Sequence, residues 1–476
     1  MSRLQPHQSA VAQGGLPCAK RRATQRKSTT VYAVDNRLAH MDQVSFLGVQ
    51  ALGYGALVQF EWIYNRPVNI EGLRRFHRNL GYGLLGRRVE RSPLPFARDR
   101  WVVYRGPEDV DIAETPRPRA EVSAWLLERA CLPVDPEHGP SWHLGMLPLE
   151  DGGTAITLVT SHTLVDGLGI LQAITDAANG RTRYLGYPEP RSRTRRRAVL
   201  EDGRQTVAST PELARALRAT ARVARKRRKD VTASIVSAPP RVAGDDGPVV
   251  VPTVTAYVDT AEWDACAKSI GGNSFTLFAG FAGKLGVRMG RVCADGTVTL
   301  SFPISERTED DTRGNALVFP TVSVDPTHLS SSLDEVRIKF KQTFADLAEI
   351  TEELLAPLPL TSMTPKWVAR RAAGMGLGSA AFPIGCSNVG ELDPAVNRPD
   401  GSEADYASGR LIEPGISRRT LEGMGGQLFL VSGRDHRTVF ISINAYLAGR
   451  TNSQDALRED TVRTLAEFDL SAEIHG

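Results

Sequence analysis

Ser161-His162-Thr163-Leu164-Val165-Asp166-Gly167 is the stretch of this 476-residue chain whose residue types and spacing can do acid–base chemistry. Histidine is the side chain that exchanges a proton near neutral pH, and His162 follows a strand-like run containing Ile156, Leu158 and Val159. A histidine at the end of a buried strand, entering a turn closed by glycine, is where a rigid scaffold presents a general base to a cleft. Asp166, four residues on, would hold the turn, and Gly167 would permit backbone angles that a side chain forbids. The same spacing suits a core histidine followed by a turn-forming Asp-Gly, so the heptapeptide alone leaves catalysis and packing both open.

Other reactive patterns carry less. The five cysteines, Cys18, Cys131, Cys266, Cys293 and Cys386, are scattered and lack CxxC spacing, which argues against a disulfide framework or a zinc site and suits a reducing cytoplasm. Cys386 has no partner histidine in the pattern that would make it a nucleophile. Gly81-Tyr82-Gly83-Leu84-Leu85-Gly86 matches a dinucleotide fingerprint in letters, but it follows a helical segment where that fingerprint needs a strand. Neither a metal nor a permanently bound cofactor is expected.

The elements that must position His162 are legible from periodicity. Hydrophobic residues make up 41% of the chain and charged residues 24%, and no apolar run reaches the ~18–20 residues that would span a bilayer, so a soluble protein of two domains or lobes is expected. The net charge of +4 favours no polyanionic partner, and nucleic acid is not expected. Gly53 to Asn65 reads as a strand, 70–80 as a helix, and Glu121 to Ala130 as a helix through Val122, Trp125 and Leu126. Trp142 to Leu147 and Thr154 to Thr160 flank the turn signal Glu150-Asp151-Gly152-Gly153 and predict a hairpin. Past Val249, strands are expected at 250–258, 297–302, 318–324, 427–432 and 438–446, helices at 261–269 and 274–289, and a Ser332/Glu335 capping box before a further helix.

Four segments follow: a flexible basic arm over 1–33, a first lobe over 34–185, an inter-lobe linker over 186–248, and a second lobe over 249–476. Within the linker, Glu212 to Lys229 predicts a cationic helix with a thin apolar face of Leu213, Leu217, Val223 and Ala224. Each lobe mixes strands and helices without strict alternation, predicting α/β lobes with mixed, largely antiparallel sheets.

Three further places bear on His162. Ser301-Phe302-Pro303-Ile304-Ser305-Glu306-Arg307 is followed by Gly314-Asn315; Ser387-Asn388-Val389-Gly390 lies downstream; Met41-Asp42 precedes a helix-like run near the start. With these motifs the chain, from about residue 34 onward, resembles the HxxxD acyltransferase superfamily. That superfamily includes chloramphenicol acetyltransferase, nonribosomal peptide condensation domains, polyketide-associated acyltransferases and the bacterial wax ester synthase/diacylglycerol acyltransferases. The resemblance implies two chloramphenicol acetyltransferase-like lobes with an inter-lobe tunnel, and makes His162 the catalytic base. It implies that Asp166 turns away from the tunnel and pairs with Arg307, that Gly167 is structural, and that Ser161, Ser387 and Asn388 contact substrate, with Ser387 to Gly390 where one lobe reaches over to the other.

Two departures matter. Many relatives carry a second histidine where this chain has Ser161, which leaves the base in place, and no Asp-Phe-Gly-Trp-Gly segment marks the plant branch. No carrier-protein or adenylation module is legible, which implies a free-standing enzyme. The function implied is acyl transfer from coenzyme A thioesters to a hydroxyl of a lipid or secondary-metabolite acceptor. The alternatives are a condensation enzyme that uses a phosphopantetheinyl carrier-protein donor with an amine or alcohol, and an inactive binding protein on the same fold. A cytoplasmic location is expected, with peripheral membrane contact through the cationic helix.

Overall fold

Branched and aromatic runs become the strands of two sheets, each covered by helices that bury an apolar stripe. The structure, a computed structural model, describes residues 35–231, 247–370 and 383–476. The basic arm over 1–33 and the linker's Pro239, Pro240 and Gly244 lie outside the described residues.

The first sheet has the order β13 (Tyr406–Ile412), β1 (Leu57–Tyr64), β6 (Thr154–Ser161), β5 (Trp142–Pro148), β4 (Asp111–Ile112). β1 and β6 pair antiparallel from Leu57 opposite Ser161, and both are buried along their whole length. β5 and β6 form the expected hairpin, and Gly152 in its turn takes a φ of 84° that favours glycine. The helix α2 (Ile70–Leu80) packs on α4 (Gly167–Ala178), while α3 (Val122–Ala130) packs against β6.

The second sheet runs β11 (Thr321–Val324), β8 (Val298–Ser301), β12 (Ile384–Glu391), β14 (Gln427–Arg434), β15 (Thr438–Tyr446), β7 (Thr253–Asp259), β16 (Glu473–His475). It is mixed, since β12 is parallel to both neighbours and the remaining pairs are antiparallel. Helix α8 (Ser274–Arg288) covers it with Leu277, Phe278, Phe281 and Leu285, all fully buried. Two short antiparallel pairs complete the strands: β2 (Arg87–Glu90) with β3 (Arg100–Val103), and β9 (Ile304–Ser305) with β10 (Leu317–Val318). One large apolar cluster lies within the second lobe, and another fills the first lobe and reaches Tyr257, Val431 and Phe440 of the second sheet. Among the described residues no helix is long and apolar enough to cross a membrane.

Several details differ from the sequence expectations. Ser387 to Gly390 do not cross between lobes; β12 stays in the second sheet, and β13, from the segment assigned to the second lobe, joins β1. The preceding loop is tied to the first lobe, with the Trp62 indole N–H donating to the Val396 carbonyl at 2.7 Å and the Asn69 N–H to the Asp400 carboxylate at 2.9 Å. The Ser332/Glu335 capping box does not form, because the helix begins at Asp334 and Ser332 Oγ accepts from the Asp334 N–H at 3.3 Å. The cationic helix does form, as α6 (Thr210–Val231), but it is rotated from the expected face: Ala216 is buried and Leu217 is 62% exposed.

The linker also contains α5 (Arg195–Ala208), which is fastened to the first lobe by a buried carboxylate. Asp202 accepts from Arg100 Nη2 and Arg193 Nη1, each at 2.8 Å, and from Ser92 Oγ at 2.7 Å. Burial alone would raise its pKa, but hydrogen bonds from Arg193, Ser92 and Arg100 outweigh that and hold it below the ordinary carboxylate value. Asp202→Ala leaves Arg100 buried without its counter-charge, so a loss of about 3 kcal/mol is expected in urea unfolding. The wild-type contribution is complete above the unfolded carboxylate value of about 3.9 and disappears as pH falls through the lower folded value. Asp202→Ala should therefore flatten the acid limb of stability against pH, and an unchanged acid limb would refute this account.

Candidate active site

His162 sits one residue beyond β6, its N–H held by the Ala56 carbonyl at 3.0 Å. Its ring is fixed from the other lobe. Nδ1 lies 2.9 Å from Asn315 Oδ1, and Asn315 Nδ2 donates to the His162 carbonyl at 3.0 Å. A carbonyl can only accept, so the amide must turn its nitrogen towards it and its oxygen towards the ring. Nδ1 therefore carries the proton, and Nε2 keeps its lone pair. Among the described residues Nε2 has no hydrogen-bond partner.

Asn315 is held by Asp42, in the first turn of α1 (His40–Leu52). The Asp42 carboxylate accepts from the Gly314 N–H at 2.9 Å and the Asn315 N–H at 2.7 Å, and it is completely buried. Burial, the largest influence, pushes this carboxyl above its ordinary pKa, while the Arg87 charge and the Gly314 and Asn315 donors oppose it. Gly314 is required by close approach, since a Cβ there would lie 2.6 Å from the Thr163 carbonyl oxygen and 2.9 Å from that of Leu164.

Asp166 and Arg307 clamp the same loop from the other side. Arg307 donates through Nη2 to Asp166 Oδ2 at 2.8 Å and through Nε to Oδ1 at 3.3 Å. The Asp166 side chain is 0% exposed and that of Arg307 5%, so the charges are sealed from water. Asp166 also caps α4, accepting from the Gly169 N–H at 2.7 Å, and accepts from the Ala316 N–H at 2.9 Å. Gly167 opens α4 without a left-handed φ, contrary to the expectation from the turn. Its role is clearance, because a Cβ would stand 3.2 Å from Val389 Cγ1 across the lobe boundary.

His162 lines a cavity of about 50 Å³ between the sheets. Val58 and Phe60 of β1 and Ile170 of α4 form one side, and Ser387, Val389 and Phe429 of the second sheet the other. Ser387 thus meets His162 at this cavity, whereas the other two expected substrate contacts do not line it. Ser161 is buried, and its Oγ accepts from the Thr163 N–H at 3.3 Å. Asn388 Oδ1 accepts from the Gly390 N–H at 2.8 Å and braces its own loop. Cys386 is fully buried, which pushes its thiol well above the ordinary pKa and leaves it inert. Among the described residues no group of His, Cys, Asp and Glu could hold a metal ion.

The sequence patterns contained Met41-Asp42 and Gly314-Asn315 without giving either a task. The signal available was a lone carboxylate on the helix face that also carries Phe46, since a buried carboxylate needs backbone or cationic partners.

Together these features define a class: the chain has the two-lobed chloramphenicol acetyltransferase-like fold, with the histidine of its HxxxDG stretch at a cavity between the lobes. No protein-family model and no curated protein matches the sequence. Among solved structures, polyketide synthase associated protein 5 from Mycobacterium tuberculosis is similar at a TM-score of 0.53 and 13% identity, over 91% of this chain and 97% of that one. The first condensation domain of the CDA synthetase gives 0.54 and 12%, over 93% and 99%. The TRI3 trichothecene 15-O-acetyltransferase from Fusarium sporotrichioides gives 0.54 and 11%, over 91% and 94%. The likeness to the HxxxD acyltransferase superfamily therefore holds in three dimensions as a shared fold.

Removing one partner of the Asp166–Arg307 pair strands a buried charge, so Asp166→Ala and Arg307→Ala should each cost about 3–5 kcal/mol in denaturant unfolding. The double variant should lose less than the sum of the two. Strict additivity, or an Asp166→Ala protein as stable as wild type, would sink the claim that the pair holds the loop.

Proposed function

We propose that the protein is an acyltransferase that moves an acyl group from a coenzyme A thioester to a hydroxyl of a lipid or secondary-metabolite acceptor. The single observation that carries this reading is the fixed imidazole: Asn315 holds Nδ1–H, which leaves Nε2 as the basic nitrogen of a ring at the inter-lobe cavity. The resemblance to the HxxxD acyltransferase superfamily supplies the reaction class, and the similarity in fold to condensation domains and an O-acetyltransferase is consistent with it.

In this mechanism Nε2 accepts the acceptor's hydroxyl proton as the oxygen attacks the thioester carbonyl. The tetrahedral intermediate expels the thiolate, the carbon–sulfur bond breaks, and the imidazolium returns the proton to sulfur. The products are an ester and a free thiol, with no covalent enzyme intermediate. Proton transfer of this kind supplies ~10²–10⁴-fold in rate, and binding both substrates at one histidine supplies positional advantage besides.

Thiol release from mixed acyl-coenzyme A donors, with mass spectrometry of products from alcohols and amines, tests the reading. Ester products from coenzyme A donors are expected; amides formed only from carrier-protein thioesters would replace it with the condensation reaction. His162→Ala should lower turnover by at least about 10²-fold with an almost unchanged melting temperature. Asn315→Ala should lower kcat roughly tenfold, the scale of one lost hydrogen bond, with little change in KM. A His162→Ala protein that keeps activity within tenfold of wild type refutes the mechanism.

We place peripheral membrane contact on α6, whose Arg215, Arg218, Arg222 and Arg225 are exposed beside Leu217. Each such charge gains about 1 kcal/mol near an anionic surface and loses it in salt. Changing all four to Gln should abolish co-sedimentation with phosphatidylglycerol vesicles at low ionic strength, and equal sedimentation of the variant would end this proposal.

A further inference from the structure

A second cavity, of about 210 Å³, adjoins the one at His162, and Arg410 and Leu411 are wall residues of both. Strand register decides which side the Arg410 side chain serves. Arg410 pairs with Gln59 across β13 and β1, so both side chains lie on one face of the first sheet. On that face Gln59 Nε2 donates to the Leu126 carbonyl of α3, and Ser123 and Leu127 of the same helix line the second cavity. The guanidinium is therefore on the side of the larger cavity, on a side chain only 8% exposed. Its Nε donates to Gln59 Oε1 at 3.0 Å and lies 4.0 Å from Glu61 Oε2. Among the described residues its two terminal amino groups have no hydrogen-bond partner.

The facing wall carries the opposite deficit. Gln427 of β14 and Asn444 of β15 are diagonal neighbours on one face, since Gln427 pairs with Tyr446 and Asn444 with Phe429. Gln427 Nε2 donates to the Glu413 carboxylate at 3.3 Å, and Asn444 Nδ2 donates to Thr253 Oγ1 at 2.8 Å. The amide oxygens of both residues are buried and lack a donor among the described residues, and Asn444 as a whole is 4% exposed. Buried acceptors left without donors are costly, and in native proteins such groups call for an explanation.

We propose that this cavity binds a neutral, polyhydroxylated group such as a sugar ring. A hydroxyl can both donate to an amide oxygen and accept from the guanidinium, and a polyhydroxylated ring presents several such groups at once. Among its described lining residues the cavity holds one guanidinium, Arg410, and one carboxyl, Glu413, which burial pushes above its ordinary pKa, so it gathers no cluster of like charges for an anion or a cation. Leu127, Val249 and Val251 supply apolar surface for the C–H face of such a ring. That the bound group is the acceptor of the transferred acyl chain rests on the acyl-transfer reading above; that the cavity binds it does not.

Titration calorimetry of the full chain with hexyl β-glucoside, 1-hexanol, hexylamine and 6-aminohexanoate separates the cases without any thioester. The glucoside should bind at least about tenfold more tightly than the other three, and Asn444→Leu and Gln427→Leu should each weaken it by about three- to tenfold while leaving hexanol unchanged. Arg410→Gln should do the same, with partial recovery in Arg410→Lys. Should any of these variants fail to fold, Ser123→Trp, which fills the cavity from α3, must still remove glucoside binding. Equal affinity for hexanol, preference for the amine or the zwitterion, or no binding of the glucoside overturns the proposal. With a working thioester donor, a glucoside left unacylated while other alcohols react overturns the acceptor role alone, whereas failure to transfer to any alcohol or amine overturns the acyl-transfer reading and leaves the binding result standing.

Discussion

Everything at the candidate site depends on a short loop, residues 314–316, held between two buried carboxylates. Asp42 takes the N–H groups of Gly314 and Asn315 from one side, and Asp166 takes that of Ala316 from the other, with Arg307 closing the second contact. Neither carboxylate touches the cavity. Each is expensive to bury, and each is stabilised by backbone donors or a guanidinium that no solvent molecule would place as rigidly. What this charge arrangement secures is the position of one neutral amide, Asn315, and through it the tautomer of one imidazole. Changing any member of the set would reach His162 through the loop.

The cavity itself is built by the meeting of two sheets with different demands. On the His162 side the walls are mainly Val, Ile, Leu and Phe, which suit an acyl chain. On the far side of Arg410 and Leu411 the second sheet presents amide groups instead. A strand exchanged between lobes makes both possible, because β13 shows Gly409 and Leu411 to one compartment and Arg410 to the other by simple alternation.

Much of this was legible in the sequence where local chemistry decides the outcome. The all-buried strands β1 and β6 announce themselves as branched and aromatic runs, and the hairpin turn by its paired glycines. The Asp166–Arg307 pair followed from the superfamily resemblance together with the cost of an unpaired buried carboxylate. What was not legible depends on distant partners. Tyr406-Ala407-Ser408-Gly409-Arg410 has too little apolar alternation to declare itself a strand; only pairing with β1 makes it one. The face of α6 turned inward through Ala216 in place of Leu217, because fit against its neighbours outweighs the hydrophobicity of a single position. Asn388, read as a substrate contact, proved to be occupied by its own backbone, a habit of short amide side chains that spacing cannot reveal.

The exchanged strand also sets an order of assembly. β1 emerges among the first elements of the chain, yet its partner at Tyr406–Ile412 is separated from it by most of the sequence, including much of the second lobe. Closing so long a loop is entropically expensive and slow relative to local pairing. During synthesis the nascent first sheet must wait with one edge of β1 unpaired, hydrogen-bonding groups exposed as an invitation to foreign strands. The walls around His162 are thus among the last parts of the molecule to be completed, and a ribosome-bound chain that lacks β13 has the histidine without the cavity.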